Sequence, residues 1–599
     1  MTQRLFVAIL WLACAAHGAE KDYARTGADI PPIKVDQFGY KTDATKVAVI
    51  ANPQTGFNAA QSFTPSATLV VVRTSDGRVV LSGRPVSWNS GETDPLSGDR
   101  VWWFDFSTVD APGTYVVVDR EQDVRSYPFV IDDGSAYRVV LFHAARTFVF
   151  QRCGMAKDFA ALRDGACHLQ DRACRRWGVE GDTPRDLSGG WHDAGDYNKY
   201  IGYVYPAVHQ LLLAYELNPA LWKTLELGIP ESGNGAPDLL DEVRYELDWI
   251  LRMQETDGSF LLLVGGEKVK GYWGKYKGRP ASENDAPRWS LPATGPSTVA
   301  ACSMLAHAAV VYATLPQERT YADRLLRAAE RGWDWLERHP DRVGEAIQFD
   351  KKTRPLVASS GKLYGKPADV RLGAAAFLHL ATGKKAYADV LEHGTRKSRT
   401  NFAAAPTFLR YATSPRAEPV VAERIRQAYR KAWLPRAGRS NAYRDPARKS
   451  YLWSSNKSVC ADAAHLLMLA RCFPLTPEER AKCVETAAGA LHYIHGVNPT
   501  GYCYLTSMAP YGAEQSLLTL YHEDGLLAKA PPPGYMPGGP NQRFTGTQSP
   551  PANQPPQKSF DGLKTARPPY EYMEAQLQYQ SAYVWLLSLM AADGAPPPR

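Results

Sequence analysis

The hydrophobic period of this chain changes once, at Asp132-Asp133-Gly134, and that change limits what each side of it can become. Upstream, from about residue 30, apolar residues come in short runs between turn residues: 46–50, 68–73, 78–81, 101–106, 113–118 and 126–131. Ser75-Asp76-Gly77 separates two of these runs, and Asp-Gly is a strong hairpin signal. About seven short strands at this spacing predict a small β-sandwich over 30–132. Downstream the period becomes helical. Val204, Val208, Leu211, Leu212 and Tyr215 share one helix face, and Leu240, Val243, Leu247, Ile250 and Leu251 repeat the pattern. So do Leu325, Leu326, Ala329, Trp333 and Leu336. Further helices are expected near 137–152, 298–315, 369–381, 401–413, 419–432, 458–472, 482–495 and 575–592. Roughly a dozen helices in series imply a toroid or a solenoid over 134–599, and the lack of a fixed-length repeat disfavours the solenoid.

Long polar, Pro/Gly-rich loops separate the helices at 256–297, 344–368, 436–457 and 497–574, and loops of that length are usually functional or disordered. Pro531–Pro569 stands out as an insert. Its 546–560 part reads as mobile, and the insert is long enough that it could close one end of a cleft.

The first 19 residues read as a cleaved signal peptide: Arg4, then an apolar run from Leu5 to Ala16, then small residues near Gly18 and Ala19. The run is too short to cross a bilayer and no other stretch is long and apolar enough, so no membrane span is expected. The mature chain is expected to be secreted or periplasmic, and monomeric. With 69 basic against 62 acidic residues and no block of five basic ones, nucleic acid is not an expected partner. The 15 Trp and 31 Tyr suit a core, and they also suit a groove that stacks on the apolar faces of sugars. Cleavage leaves eight cysteines, for which disulfides are the default in an exported chain.

Chemistry concentrates in Ser188-Gly189-Gly190-Trp191-His192-Asp193-Ala194-Gly195-Asp196-Tyr197-Asn198-Lys199-Tyr200. Two carboxylates three residues apart in a Gly-rich turn can share a water, one as base and one as orienting group. Asp196 reads equally well as a helix cap. Close by, Cys153, Cys167-His168 and His192 supply two thiolates and two imidazoles, enough for a closed tetrahedral zinc site. The alternative is a Cys153–Cys167 disulfide beside two unrelated histidines. Trp273, Trp289 and Trp453, all expected in loops, read either as sugar-stacking platforms or as packing residues.

These motifs resemble glycoside hydrolase family 9, mostly cellulases. SGGWHDAGDYNKY is similar to the family signature. So are Gly235-Ala236-Pro237-Asp238-Leu239-Leu240-Asp241-Glu242, Leu452-Trp453-Ser454-Ser455-Asn456, Tyr493 to Pro499, and Pro533-Gly534 with Gly538-Gly539-Pro540-Asn541. The stretch from Val35-Asp36-Gln37-Phe38-Gly39-Tyr40 to Ile131 looks like the immunoglobulin-like module that precedes many such catalytic domains. The resemblance implies an (α/α)6 barrel and an inverting cleavage of β-1,4-glucan: cellulose, cello-oligosaccharides or mixed-linkage glucan. On the matching positions Asp196 would be the base, Asp193 would help hold the water, Glu574 would be the acid and Tyr570 a nearby aromatic. Glu571 is close enough in sequence to be mistaken for Glu574. The resemblance also favours structural zinc at Cys153, Cys167, His168 and His192. It leaves calcium as a second candidate cofactor, although no EF-hand-like run marks a site for it.

The chain departs from the family in places. No His-x-Arg pair follows Tyr504-Leu505-Thr506-Ser507-Met508, the family's Asn-Glu is Met573-Glu574, and its Asp-Tyr-Asn is Gln578-Tyr579-Gln580. Losing an Arg–hydroxyl bond costs on the order of 1.5–3 kcal/mol, so the subsite beside the acid is expected to be rebuilt. The alternatives are an exo-acting β-glycosidase for another sugar, such as glucosaminyl oligosaccharides, or a carbohydrate-binding protein that has lost catalysis. Whether the insert closes one end of the cleft would decide endo against exo action.

Overall fold

The structure, a computed structural model, describes residues 30–266, 279–346, 362–397, 405–446, 448–522, 531–548, 550–562 and 568–591. The expected leader, Trp273 and residues 401–404 of one expected helix lie outside these ranges.

The first hundred described residues form two facing sheets. One runs in the order β1 (Ile33–Lys34), β3 (Val47–Pro53), β7 (Asp99–Asp105), β6 (Val86–Ser87). The other runs β2 (Gly39–Lys41), β10 (Phe129–Asp132), β8 (Gly113–Asp119), β4 (Leu69–Arg73), β5 (Val79–Gly83), with β9 (Val124–Arg125) beside β8. This is an immunoglobulin-like sandwich. Ala48, Ile50, Leu69, Val71, Phe104, Phe106, Val117 and Phe129 fill the space between the sheets. The Tyr115 hydroxyl donates to the Ala111 carbonyl at 2.8 Å, fixing the corner into β8. β4 and β5 pair around Gly77, whose φ of +70° the turn requires.

β3 explains how the sandwich is attached. All seven of its residues are buried. Ala48 and Ile50 point into the sandwich, whereas Val49 and Ala51 join the core of the helical part. A strand covered on both faces needs a continuous apolar run rather than an alternating one, and Val47-Ala48-Val49-Ile50 is such a run.

Twelve helices of seven or more residues follow among the described residues. They are α1 (Ser135–Phe150), α2 (Ile201–Leu217), α3 (Asp238–Arg252), α4 (Gly295–Tyr312), α5 (Arg319–Arg338), α6 (Pro367–Thr382), α7 (Lys385–Lys397), α8 (Pro406–Ala412), α9 (Pro419–Trp433), α10 (Ser455–Cys472), α11 (Pro477–Ile494) and α12 (Leu577–Met590). The even-numbered helices form the inner ring, which α12 closes by packing on α2, and the odd-numbered helices form the outer ring. The result is an (α/α)6 barrel. Composition sorts the two rings. α4 is small and apolar all round and buries 17 of its 18 residues, as an interior helix must. α5 buries 9 of 20, all on one stripe, and shows its charges to solvent. Capping boxes start α4 (Thr294 with Ser297) and α11 (Thr476 with Glu479).

Three expectations change. α7 was not expected; Gly383, at φ +70°, ends α6 and lets the chain turn back into it. The 256–297 stretch is not wholly loop: Leu263–Gly266 and Arg288–Ser290 pair with each other and with Lys199–Tyr200 and Arg175–Arg176. The insert is a buried strap over much of its length. Gln557 and Lys558 are fully buried at the seam between sandwich and barrel, and Gly534 lies against the α1 backbone too closely for any Cβ. The eight cysteines are free thiols rather than disulfides. Among the described residues no helix is long and apolar enough to cross a membrane.

Candidate active site

Four inner helices have site residues in the segments that lead into them: 188–200 before α2, Tyr364 before α6, Trp453 before α10, and Tyr570–Gln576 before α12. Helix N-termini therefore face the site, and their dipoles favour negative charge there.

The 188–200 turn is held tightly from behind. Gly190 (φ +76°) lies so close to Trp249 of α3 that a Cβ would sit 2.7 Å from the indole. The Trp191 N–H donates to Glu246 at 2.6 Å and its indole N–H to Glu242 at 2.7 Å, and Glu242 also takes Arg152. Burial pushes the Glu246 carboxyl up to about 8. Lys199 and Arg288 both pair with the buried Asp171, at 2.8 and 2.7 Å. Burial would raise Asp171, but Arg288 and Lys199 hold it at about 2.

Asp193 and Asp196 emerge from this platform. Asp196 accepts from the Asn198 N–H, the Asn198 amide and the Tyr200 hydroxyl at 3.1, 3.2 and 2.8 Å. It closes an Asx turn at Asn198 and does not cap α2, whose N-cap is Tyr200. Asp193 is buried. Its Oδ2 accepts from Gln576 at 2.9 Å, while its Oδ1 is buried with no hydrogen-bond partner. Burial, then the neighbouring Asp196, push its carboxyl well above the ordinary range. Glu574 completes the group: its Oε1 accepts from the Gly195 N–H at 3.3 Å, which brings it to the same turn as the two aspartates. Its backbone is clamped, with Gly538 donating to its carbonyl and Tyr521 to that of Met573. Glu571 is separated by its bonds. It accepts from the Thr545 N–H and hydroxyl at 3.3 and 2.7 Å and is buried in the strap.

Trp453 and Tyr570 are both exposed, at 46% and 43%, with ring centroids 5.4 Å apart, so they offer an open aromatic surface beside Glu574. Trp289 lies on a strand rather than in a loop, edge-on to Trp177 at 5.4 Å. Tyr364, Tyr203, Gln576 and Lys457 were not anticipated. Tyr364 packs on Tyr203 at 5.0 Å, and Lys457 sits over the Tyr364 ring at 5.5 Å. Gln576, two residues after Glu574, is the one of these whose position in the sequence could have pointed to it.

The Cys153, Cys167, His168 and His192 ligand atoms lie within 4.8 Å of one another, all buried. His192 Nε2 is 3.2 Å from His168 Nδ1 and 3.9 Å from Cys167 Sγ. A tetrahedron with bonds of about 2.0 Å to nitrogen and about 2.3 Å to sulfur has edges of roughly 3.3–3.8 Å, so this donor set fits zinc in chemistry, and the two histidine separations lie close to those edges. Among the described residues no comparable group of carboxylates gathers for calcium.

The profile of Glycosyl hydrolase family 9 matches residues 137–587, and that of the Cellulase N-terminal ig-like domain matches residues 28–123. Endoglucanase C of Cellulomonas fimi is 28% identical over 95% of this chain and 52% of its own length, so the chain spans about half of that relative. Endoglucanase D of Acetivibrio thermocellus is 26% identical, covering 85% of this chain and 77% of its own. A solved Zn-binding triple mutant of the family 9 endoglucanase J30 superposes with a TM-score of 0.77 at 29% identity, covering 92% of this chain and all of that one.

Proposed function

The chain belongs to glycosyl hydrolase family 9, and from that premise we propose that it hydrolyses β-1,4-linked glucan with inversion, using Asp196 as base, Asp193 to hold the water and Glu574 as acid. The observation that carries this is the convergence of the three carboxyl groups on one turn, with Asp193 Oδ1 buried and lacking a protein partner. A water bonded to that oxygen and to Asp196 attacks the anomeric carbon. Asp196 takes its proton as the glycosidic C–O bond breaks, and Glu574 gives its proton to the departing oxygen on the other face. The newly formed hemiacetal carries the opposite configuration. Trp453 and Tyr570 stack the sugar next to the acid, and Trp289 lines a more distant subsite.

Zinc at Cys153, Cys167, His168 and His192 belongs to the same proposal. Four protein ligands leave no open position, so the ion would pin His192, the residue before Asp193, to the end of α1 rather than act on substrate. An exported monomer is part of the proposal as well. A second reading, exo cleavage of another β-linked sugar such as a glucosaminyl oligomer, is favoured by the missing His-x-Arg pair.

A product time course on cellopentaose and the glucosamine pentamer, with Glu574→Gln as control, tests both readings. Turnover abolished in the variant supports the hydrolase and identifies the sugar; mixed lengths mean endo cutting and single-unit steps mean exo. Binding without turnover of either would sink the glucanase reading.

A further inference from the structure

Three hydrogen bonds run in line from a lysine to the buried carboxylate. Lys457 Nζ donates to Gln578 Oε1 at 3.2 Å, Gln578 Nε2 to Gln576 Oε1 at 2.7 Å, and Gln576 Nε2 to Asp193 Oδ2 at 2.9 Å. The ends of this chain dictate its direction. An ammonium has only donors, so the Lys457 end requires the Gln578 oxygen to face it, and each amide then turns its nitrogen toward Asp193.

We propose that Lys457 is a positioning residue for the hydrolysis: acting through Gln578 and Gln576, it helps hold the amide N–H that Asp193 meets. The proposal rests on the assignment of Asp193 to the water. With Lys457 charged, Asp193 receives an N–H, which holds its Oδ2 and leaves Oδ1 toward the water. With that charge removed, the lysine end no longer fixes the amides, and the Asp193 end alone must orient the N–H it receives. The groups facing Lys457 are the Tyr364 ring, the Gln578 amide and the Arg448 guanidinium. Burial, then Arg448, lower the ammonium to about 8, so the relay loses its charge within an accessible pH range.

The test uses 2,4-dinitrophenyl β-cellobioside, whose leaving group needs no acid, alongside cellopentaose. Lys457→Met and Gln578→Glu are each expected to lower kcat on the aryl substrate roughly tenfold or more, with KM within about threefold and Tm unchanged. Gln578→Glu is the sharper variant, since a carboxylate still accepts from Lys457 but cannot donate to Gln576. Lys457→Arg is expected to keep kcat and to carry it above pH 8, where the wild type falls. Unchanged kcat in Lys457→Met or Gln578→Glu, a rise in KM alone, or an unaltered alkaline limb in Lys457→Arg would overturn the relay. Glu574→Gln separates that failure from failure of the site assignment: it should be inert on cellopentaose yet active on the aryl glycoside. If the wild type turns over neither substrate, or Glu574→Gln still cleaves cellopentaose, the assignment falls and takes the relay with it.

Discussion

At the seam between sandwich and barrel, the buried carboxylates of Asp99 and Asp36 have protein partners. Asp99 accepts from Lys558 at 2.5 Å and from the Tyr443 hydroxyl. Asp36 accepts from two backbone N–H groups, at 2.9 and 3.1 Å, and meets His495 at 2.9 Å. At the mouth of the barrel, Asp193 is also buried but keeps one oxygen with no partner, three residues from a second carboxylate. Burying a charge without full hydrogen bonding costs stability, and a fold tolerates that cost where a ligand will supply the missing bond. The seam uses its charges to join two domains, and under the proposed function the mouth holds its charges for a substrate and a water.

Substitutions should separate the two regions cleanly. The largest effect belongs to the mouth. Glu574→Gln and Asp196→Asn are expected to lower kcat by on the order of 10³-fold without lowering Tm. Asp193→Asn should do the same and raise Tm slightly, because it removes a buried carboxylate that faces another. Steady-state kinetics and thermal melts on the same preparations would check this, and a fall in Tm with Asp193→Asn would contradict the comparison. At the seam the sign reverses. Asp99→Ala leaves Lys558 and Lys34 buried without their counter-charge, at a cost of about 3–5 kcal/mol, while kcat per folded molecule stays constant. Denaturant unfolding monitored beside activity would read both.

The zinc cluster lies between the two behaviours, since it is buried like the seam but adjoins Asp193. Purified protein is expected to carry one zinc per chain by elemental analysis. Stripping the metal, or His168→Ala, should lower Tm by roughly 5 °C and kcat by less than tenfold. Loss of all activity with an unchanged Tm would mean the ion acts on substrate.

The same division decides what could be read from the sequence. Asp193, Asp196 and Glu574 were legible because they sit in local motifs whose Gly and aromatic neighbours are needed to build the turn. Interior helices such as α4 were legible from unbroken small and apolar residues. α7 was not, because Tyr387, Ala388 and Leu391 are its only buried hydrophobic residues and its other positions are mostly charged or polar. Nor was the Lys457–Gln578–Gln576 relay. Those side chains are ordinary in type and come from two helices and a loop, and only closure of the ring brings them together. The strap at 531–562 misled for the opposite reason. Its Pro and Gln content reads as mobile, yet Gln557 and Lys558 are drawn in by Tyr451 and Asp99, which lie more than a hundred residues away in the chain.

The smallest effect offers the finest test of the seam. Lys34 is buried there, and burial lowers its ammonium to about 7, with Asp99 opposing the shift and Lys558 adding to it. The unfolded chain would titrate this lysine at its ordinary value near 10.5. Between those two values the unfolded state holds a proton that the folded state has released, so stability from this site rises with pH across that window. Below about 7 both states are protonated and the contribution to the slope ends. Lys34→Met removes the titration and fills the same space with an apolar chain. Unfolding free energies of wild type and variant should therefore converge as pH rises from 7 to 10, with the variant the more stable at the lower end. If the two curves run parallel, Lys34 stays charged in the fold, and Asp99 holds two ammonium groups at once.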